Sequence, residues 1–179
     1  MKNLNLYIKE SLLDDEDILM KDAQTQTEIS TVKTDFKIGE YVAVRTKSSF
    51  SGAWGSSRGE LIVDKVIKIT PARIRFEKCG LRSIIDCVKM IDVNKNKDWN
   101  YKDPNGLNDI TGVGIQVGDK VASYLASGHF GTNNGVEFDE VVGLTNKKIR
   151  CKLAGLRYPN DICILRSQEI CKKQKLENI

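Results

Sequence analysis

Two glycine-rich stretches carry the side chains best suited to hold a ligand: SGAWGSSRG (Ser51 to Gly59) and SGHFGTNNG (Ser127 to Gly135). Both read Ser-Gly-x-aromatic-Gly with another glycine four positions on. Trp54 and Phe130 therefore occupy equivalent places, accompanied by Arg58 in the first loop and His129 in the second. Glycine permits positive φ and close backbone approach, so an aromatic ring held between glycines suits an apolar or stacked ligand. The competing reading folds each ring back over its own domain. His129 has no visible nucleophile or acid beside it.

A second group is basic. RIRFEK places Arg73 and Arg75 on one face of an alternating run, and KKIRCK, which brings Lys147, Lys148 and Arg150, alternates its charge with Ile149 and Cys151. Alternation of this kind is usually the solvent face of a half-buried strand. The same cations, together with Lys78 in the first copy, could track phosphates. Neutralising about five phosphates would lower affinity several hundred-fold between roughly 50 and 200 mM salt. No aromatic strip interleaves the charges, which argues against stacked bases.

Signatures of catalysis are missing. There is no G-x-S-x-G, P-loop or H-E-x-x-H, and GVGIQVG (Gly112 to Gly118) has neither the spacing nor the preceding strand of a dinucleotide loop. The five cysteines form no C-x-x-C pair, and with His129 as the single histidine a zinc site is not expected. Cys79, Cys87, Cys151 and Cys163 sit in apolar runs, as free thiols do in a reducing interior. The expectation is a non-enzymatic protein with no catalytic residue, metal or cofactor.

The elements that position these groups come twice. FKIGEYVAVR (Phe36 to Arg45) is answered by IQVGDKVASY (Ile115 to Tyr124). DKVIKIT (from Asp64) is answered by DEVVGLT (from Asp139), and IRFEKCGLR (from Ile74) by IRCKLAGLR (from Ile149). Asp86 falls opposite Asp161. The Arg82–Asp86 and Arg157–Asp161 spacing predicts an internal ion pair that fixes a turn. Each copy reads as four or five short strands separated by Gly, Pro and Asn turn signals. A length of roughly 55–60 residues suits a small, strongly bent barrel that is marginal alone.

The phrase hydrophobic-Gly-Asp/Glu-x-Val, followed by a glycine-bearing loop and a long strand, resembles SH3-like barrels of the KOW and Tudor kind. That resemblance implies a mainly β fold of two tandem SH3-like barrels, over residues 36–93 and 114–168. Residues 94–113 are expected as a linker, with Trp99 and Tyr101 pinning it across a barrel face, and 169–179 as a C-terminal tail.

The head of the chain is organised differently. Leu4, Ile8 and Leu12 fall on one helical stripe, followed by the acidic block Asp14 to Asp17. Residues 1–21 are expected as an amphipathic docking peptide and 22–35 as a flexible tether. Through Asp35 the chain has four basic and eight acidic residues, so the formal charge of +4 divides into about −4 on the head and +8 on the remainder.

MKNLNLYIKE resembles the capsid-targeting peptides of internal head proteins in T-even-type phages. The resemblance implies docking through Leu4 and Ile8, and protease cleavage after Glu10 at the Ile8-Lys9-Glu10 triplet, leaving Ser11 first. The apolar pattern continues past the cut, through Leu12 and beyond. Neither a secretory leader nor a bilayer-spanning run is expected.

The expectation is a phage protein packaged through its N-terminus, in the virion interior or the host cytoplasm. Its barrels would bind a protein partner, such as a scaffold, protease or host factor, or the genome, and not a membrane. The alternatives are a cytosolic KOW-like nucleic-acid-binding module and a structural virion component.

Overall fold

The computed structural model describes residues 35–46, 60–124 and 135–177, with side chains through Gln174. These residues belong to one compact unit. The expected N-terminal helix and tether lie outside the described residues.

The first copy folds as β1 (Tyr41–Arg45), β2 (Leu61–Ile69), β3 (Arg73–Phe76), β4 (Gly80–Ser83) and β5 (Cys87–Lys89). The second gives β6 (Lys120–Tyr124), β7 (Val136–Leu144), β8 (Ile149–Cys151), β9 (Gly155–Arg157) and β10 (Ile162–Ile164). The sheets are antiparallel with orders β4-β3-β2-β1-β5 and β10-β6-β7-β8-β9, which is one topology used twice. Even the irregularities match. The register shifts between Val66 and Lys68 in the first sheet and between Val141 and Gly143 in the second. Such a bulge bends a long strand so that its halves serve different neighbours.

The repeated glycines mark the turns that need positive φ. Gly39 and Gly118 have φ of 91° and 92°, and Gly80 and Gly155 of 73° and 70°.

Curling in each sheet is enforced by a side chain. Arg82 on β4 donates from Nε to Arg45 O at the end of β1 (3.2 Å), and Arg157 on β9 does the same to Tyr124 O on β6 (2.7 Å). Each guanidinium also donates to the carbonyl of its preceding leucine. This is what the twin Gly-Leu-Arg phrases do. The expected arginine–aspartate pair does not form in the second copy: Asp161 accepts from Tyr158 N, while in the first copy Asp86 is salt-bridged to Arg45 at 2.7 Å. Among the described residues no strand pairing closes either sheet into a barrel.

The cores follow the repeat with two exchanges. Val42, Val66, Ile74, Phe76 and Cys87 pack in the first; Val121, Val141, Ile149, Cys151 and Ile162 hold the corresponding places in the second. Cysteine in place of Phe76 leaves volume to fill. Leu107 and Val113, from the segment read as a linker, enter that second core, and Trp99 packs against it. The segment is bound rather than loose. Its Ile110 N donates to Ile162 O (3.2 Å), and Asp109 accepts from Ile164 N (2.9 Å). Asp109 also holds Arg166 at 2.5 Å, both side chains fully buried, with the guanidinium 5.1 Å from the Trp99 ring centroid. Residues 98–113 thus form a strap over the second repeat.

The last element, α1 (Gln168–Glu177), was not expected from the sequence, which suggested a tail. Its first residue is an anchor. Gln168 donates from Nε2 to Tyr41 O and Met90 O and accepts from Tyr41 N, all within 3.0 Å. Asn94, just beyond β5, does the same to the other copy: it donates to Lys120 O and Leu165 O and accepts from Lys120 N. Tyr41 and Lys120 are equivalent in the repeat, as are Met90 and Leu165. The two carboxamides therefore form a reciprocal clasp, each extending the pairing between the first and last strands of the opposite repeat at its end.

Arg45 and its own equivalent Tyr124 meet, with the guanidinium donating to the phenol oxygen (3.3 Å) and lying 5.3 Å from the ring. β5 approaches β7, and β10 approaches β2. This reciprocity is that of an approximate two-fold axis. At Gly135 the repeats come so close that a Cβ would lie 2.6 Å from Ile85 O.

Candidate functional site: a basic cleft between the repeats

Trp54, Arg58, His129 and Phe130 lie outside the described residues, as do Leu4, Ile8, Glu10, Ser11 and Leu12. The basic candidates are placed. Arg73 and Arg75 are exposed on β3, and Arg150 is exposed at the equivalent position on β8, preceded by exposed Lys147 and half-buried Lys148. Lys148 Nζ sits 4.7 Å from the Tyr158 ring centroid. Arg75 stands directly across from exposed Leu81, and Arg150 from exposed Leu156. The structure therefore distributes the expected cations over two matching faces, one on each sheet, and each face mixes charge with apolar surface.

A larger concavity lies elsewhere, where the first sheet, the strap and α1 meet. It encloses about 780 Å³, within the range of ligand sites. The N-terminal half of β2, Leu61 to Lys65, forms one wall; Trp99 and Thr111 of the strap, with Arg166 and Gln174, form another.

Lys65, Lys78 and Lys102 bring three ammonium groups to it. Lys102 Nζ donates to Gly112 O, which ties its stem to the strap. Asp64 is also in the lining, but its carboxylate is committed. It accepts from Lys65 N (2.7 Å), Lys78 N (2.9 Å) and Cys79 N (2.8 Å), and its residue is 2% exposed. Arg166 is balanced by Asp109 and also donates to Thr111 Oγ1 and Gln174 Oε1. Glu77 is the other acid in the lining, so the cleft carries Lys65, Lys78, Lys102 and Arg166 against Asp64 and Glu77 and presents net positive charge.

Sequence reasoning missed Asp64 and its equivalent Asp139. Each is a buried acid in the middle of a long strand. Asp139 accepts from Glu140 N, Leu153 N and Ala154 N and from Ser123 Oγ (3.0 Å). Both carboxylates secure the turn between the next two strands, and charge-assisted bonds make burial tolerable. The signal was available: an aspartate at the same place in both copies of an otherwise β-branched run.

The thiols are unsuited to nucleophilic chemistry. Burial pushes Cys79 and Cys151 up to about 12 and Cys171 to about 11, and the nearby Asp64 carboxylate adds to the effect at Cys79. Cys87 and Cys163 are displaced in the same direction, again chiefly by burial. A protonated thiol is a poor nucleophile. No group of three or more His, Cys, Asp and Glu side chains that could hold a metal occurs among the described residues. Nor is any described helix long and apolar enough to cross a membrane.

Comparison of the chain with protein-family models, curated proteins and solved structures finds no match.

Proposed function

We propose that the chain is a non-enzymatic binding protein of a tailed phage, brought into the head by its N-terminal peptide, whose two SH3-like repeats capture a protein partner. The observation that carries the binding half is the clasped pair of repeats with a basic cleft walled from both. A ligand there touches the first sheet, the strap and the C-terminal helix together, so the geometry that recognises it depends on the repeats being one body. The shared strand order, the bent long strands and the arginine that draws the fourth strand onto the first support the SH3-like reading.

The packaging half rests on Leu4, Ile8 and Glu10. Its test is the intact mass and N-terminal residue of the chain recovered from particles. A chain starting at Ser11 is the expected outcome. An intact Met1 contradicts cleavage and leaves an ordinary docking peptide.

The matched basic faces favour a second reading, a KOW-like nucleic-acid binder using Arg73, Arg75, Lys148 and Arg150. Neutralising about four phosphates predicts a slope of log affinity against log salt near −3 to −4 for DNA or RNA. A flat titration, or no binding at low salt, contradicts it.

A further inference from the structure

We infer that the outer edge of β2 at Leu61 to Lys65 binds an extended acidic peptide by taking it up as an added strand within the cleft. The inference rests on the reading of the chain as a protein-binding module and names the partner's chemistry.

Hydrogen-bond parity shows which way the edge faces. Val66 N donates to Glu40 O (2.9 Å) and Thr46 N to Glu60 O (2.8 Å). In an antiparallel pair this commits alternate residues, Glu60, Ile62, Asp64 and Val66, to β1. Leu61, Val63 and Lys65 turn their main-chain groups the other way. Lys65 O is taken by Glu77 N (3.0 Å) and Lys65 N by Asp64. Past that point β3 has bent away, and among the described residues no strand pairs with the edge at Leu61 and Val63. Val63 is half-buried and lines the cleft.

The same edge of β7 is closed. Val136 and Phe138 are buried there, and Gly135 rests against Ile85 of the first repeat. Leu61 is buried as well, and β10 approaches β2, but Val63 at the place of Phe138 is only half-buried, so among the described residues the first repeat leaves the more accessible edge. Open edges recruit strands, with main-chain bonds giving affinity and flanking side chains giving selectivity.

Charge decides what kind of strand. Lys65 and Lys78 flank the edge, Lys102 faces it from the strap, and none of the three forms a described salt bridge with an acid. The counterparts of Lys65 and Lys78 in the second repeat are Glu140, which is paired with Lys120 at 2.8 Å, and Leu153. Glu77 lies beside them and has Lys152 as its counterpart, so the lysine pair, and not the charge as a whole, distinguishes this edge; an acidic strand complements the excess of cations over acids in the cleft. Trp99 offers an apolar wall for alternate side chains of the same strand.

The test is fluorescence anisotropy with the full chain and a labelled peptide of alternating Glu and Val, at low salt. Binding is expected, and Lys65→Glu with Lys78→Glu should weaken it at least about tenfold while the circular dichroism is unchanged. The same peptide with alternate residues replaced by proline cannot pair with an edge and should bind at least about tenfold more weakly. Equal binding of the proline peptide overturns strand addition. Unchanged affinity in the lysine variant places the peptide elsewhere, overturning the site but not the binding function. If only a labelled oligothymidylate binds, the inference falls to the nucleic-acid reading. Binding of neither probe removes both the inference and the basis for it.

Discussion

The two repeats share one strand plan and divide its uses. The second is filled and covered: Cys151 replaces the bulk of Phe76, the strap supplies Leu107 and Val113, and Asp109 and Arg166 lock the strap down. Among the described residues the first has no strap. Its small core is completed locally by Phe36, Ile62 and Ile84, and its β2 edge faces the cleft. Duplication of a marginal small fold thus yields one repeat that is covered and, on the reading proposed above, one that recognises. A rigid neighbour stabilises an edge that a lone repeat of this size could not expose cheaply.

The largest expected effect sharpens that contrast. Asp109→Ala leaves Arg166 buried without its carboxylate and should cost about 3–5 kcal/mol in urea unfolding. Arg166 has Ile91 at its place in the first repeat, so no equivalent lesion exists there. A loss under about 1 kcal/mol would mean that the strap is not integral to the second repeat.

Next come the buried turn acids. Asp64→Ala and Asp139→Ala should each cost about 2–3 kcal/mol by stranding backbone N–H groups. Asp139→Ala should cost more, because Ser123 also loses its acceptor. Equal and negligible losses would show that the turns hold without them.

The clasp follows, at about 1–3 kcal/mol for Asn94→Ala or Gln168→Ala. Since both hold the same interface, the double variant should depart from additivity by at least about 0.5 kcal/mol. Strict additivity would break the picture of a reciprocal device.

The smallest effect is a pH dependence. The thiols at Cys79, Cys151 and Cys171 ionise higher in the folded chain than their ordinary value of 9.0. The unfolded chain therefore loses those protons first. Their contribution is full below pH 9 and declines as pH rises toward 11 to 12. Serine at all three positions should flatten that alkaline limb in urea midpoints measured from pH 8 to 10.

Much of this architecture was readable in advance because it is written twice. Strand runs alternate, matched glycines mark turns, and the Gly-Leu-Arg phrases recur where a guanidinium crosses the sheet. What escaped was written once. The strap is polar and glycine-rich, like a linker, and only three-dimensional packing shows Leu107 and Val113 in a core. The clasp was hidden because Asn94 and Gln168 act on the opposite copy, one residue out of repeat register. α1 has little amphipathic pattern to announce it. The basic residues singled out from alternation proved exposed apart from half-buried Lys148, but Lys65 and Lys102 attracted no notice beside Lys78 because their meeting depends on how β2 bends and where the strap lies.

The division of labour between the repeats is tested most directly by amide NMR of the isotope-labelled full chain during titration with the acidic Glu-Val peptide. Shifts should concentrate at Leu61, Val63 and Lys65, with Val136, Phe138 and Glu140 undisturbed. Equal shifts at both sets, or shifts confined to Arg73, Arg75, Lys148 and Arg150, would contradict the assignment of recognition to the open edge of the first repeat.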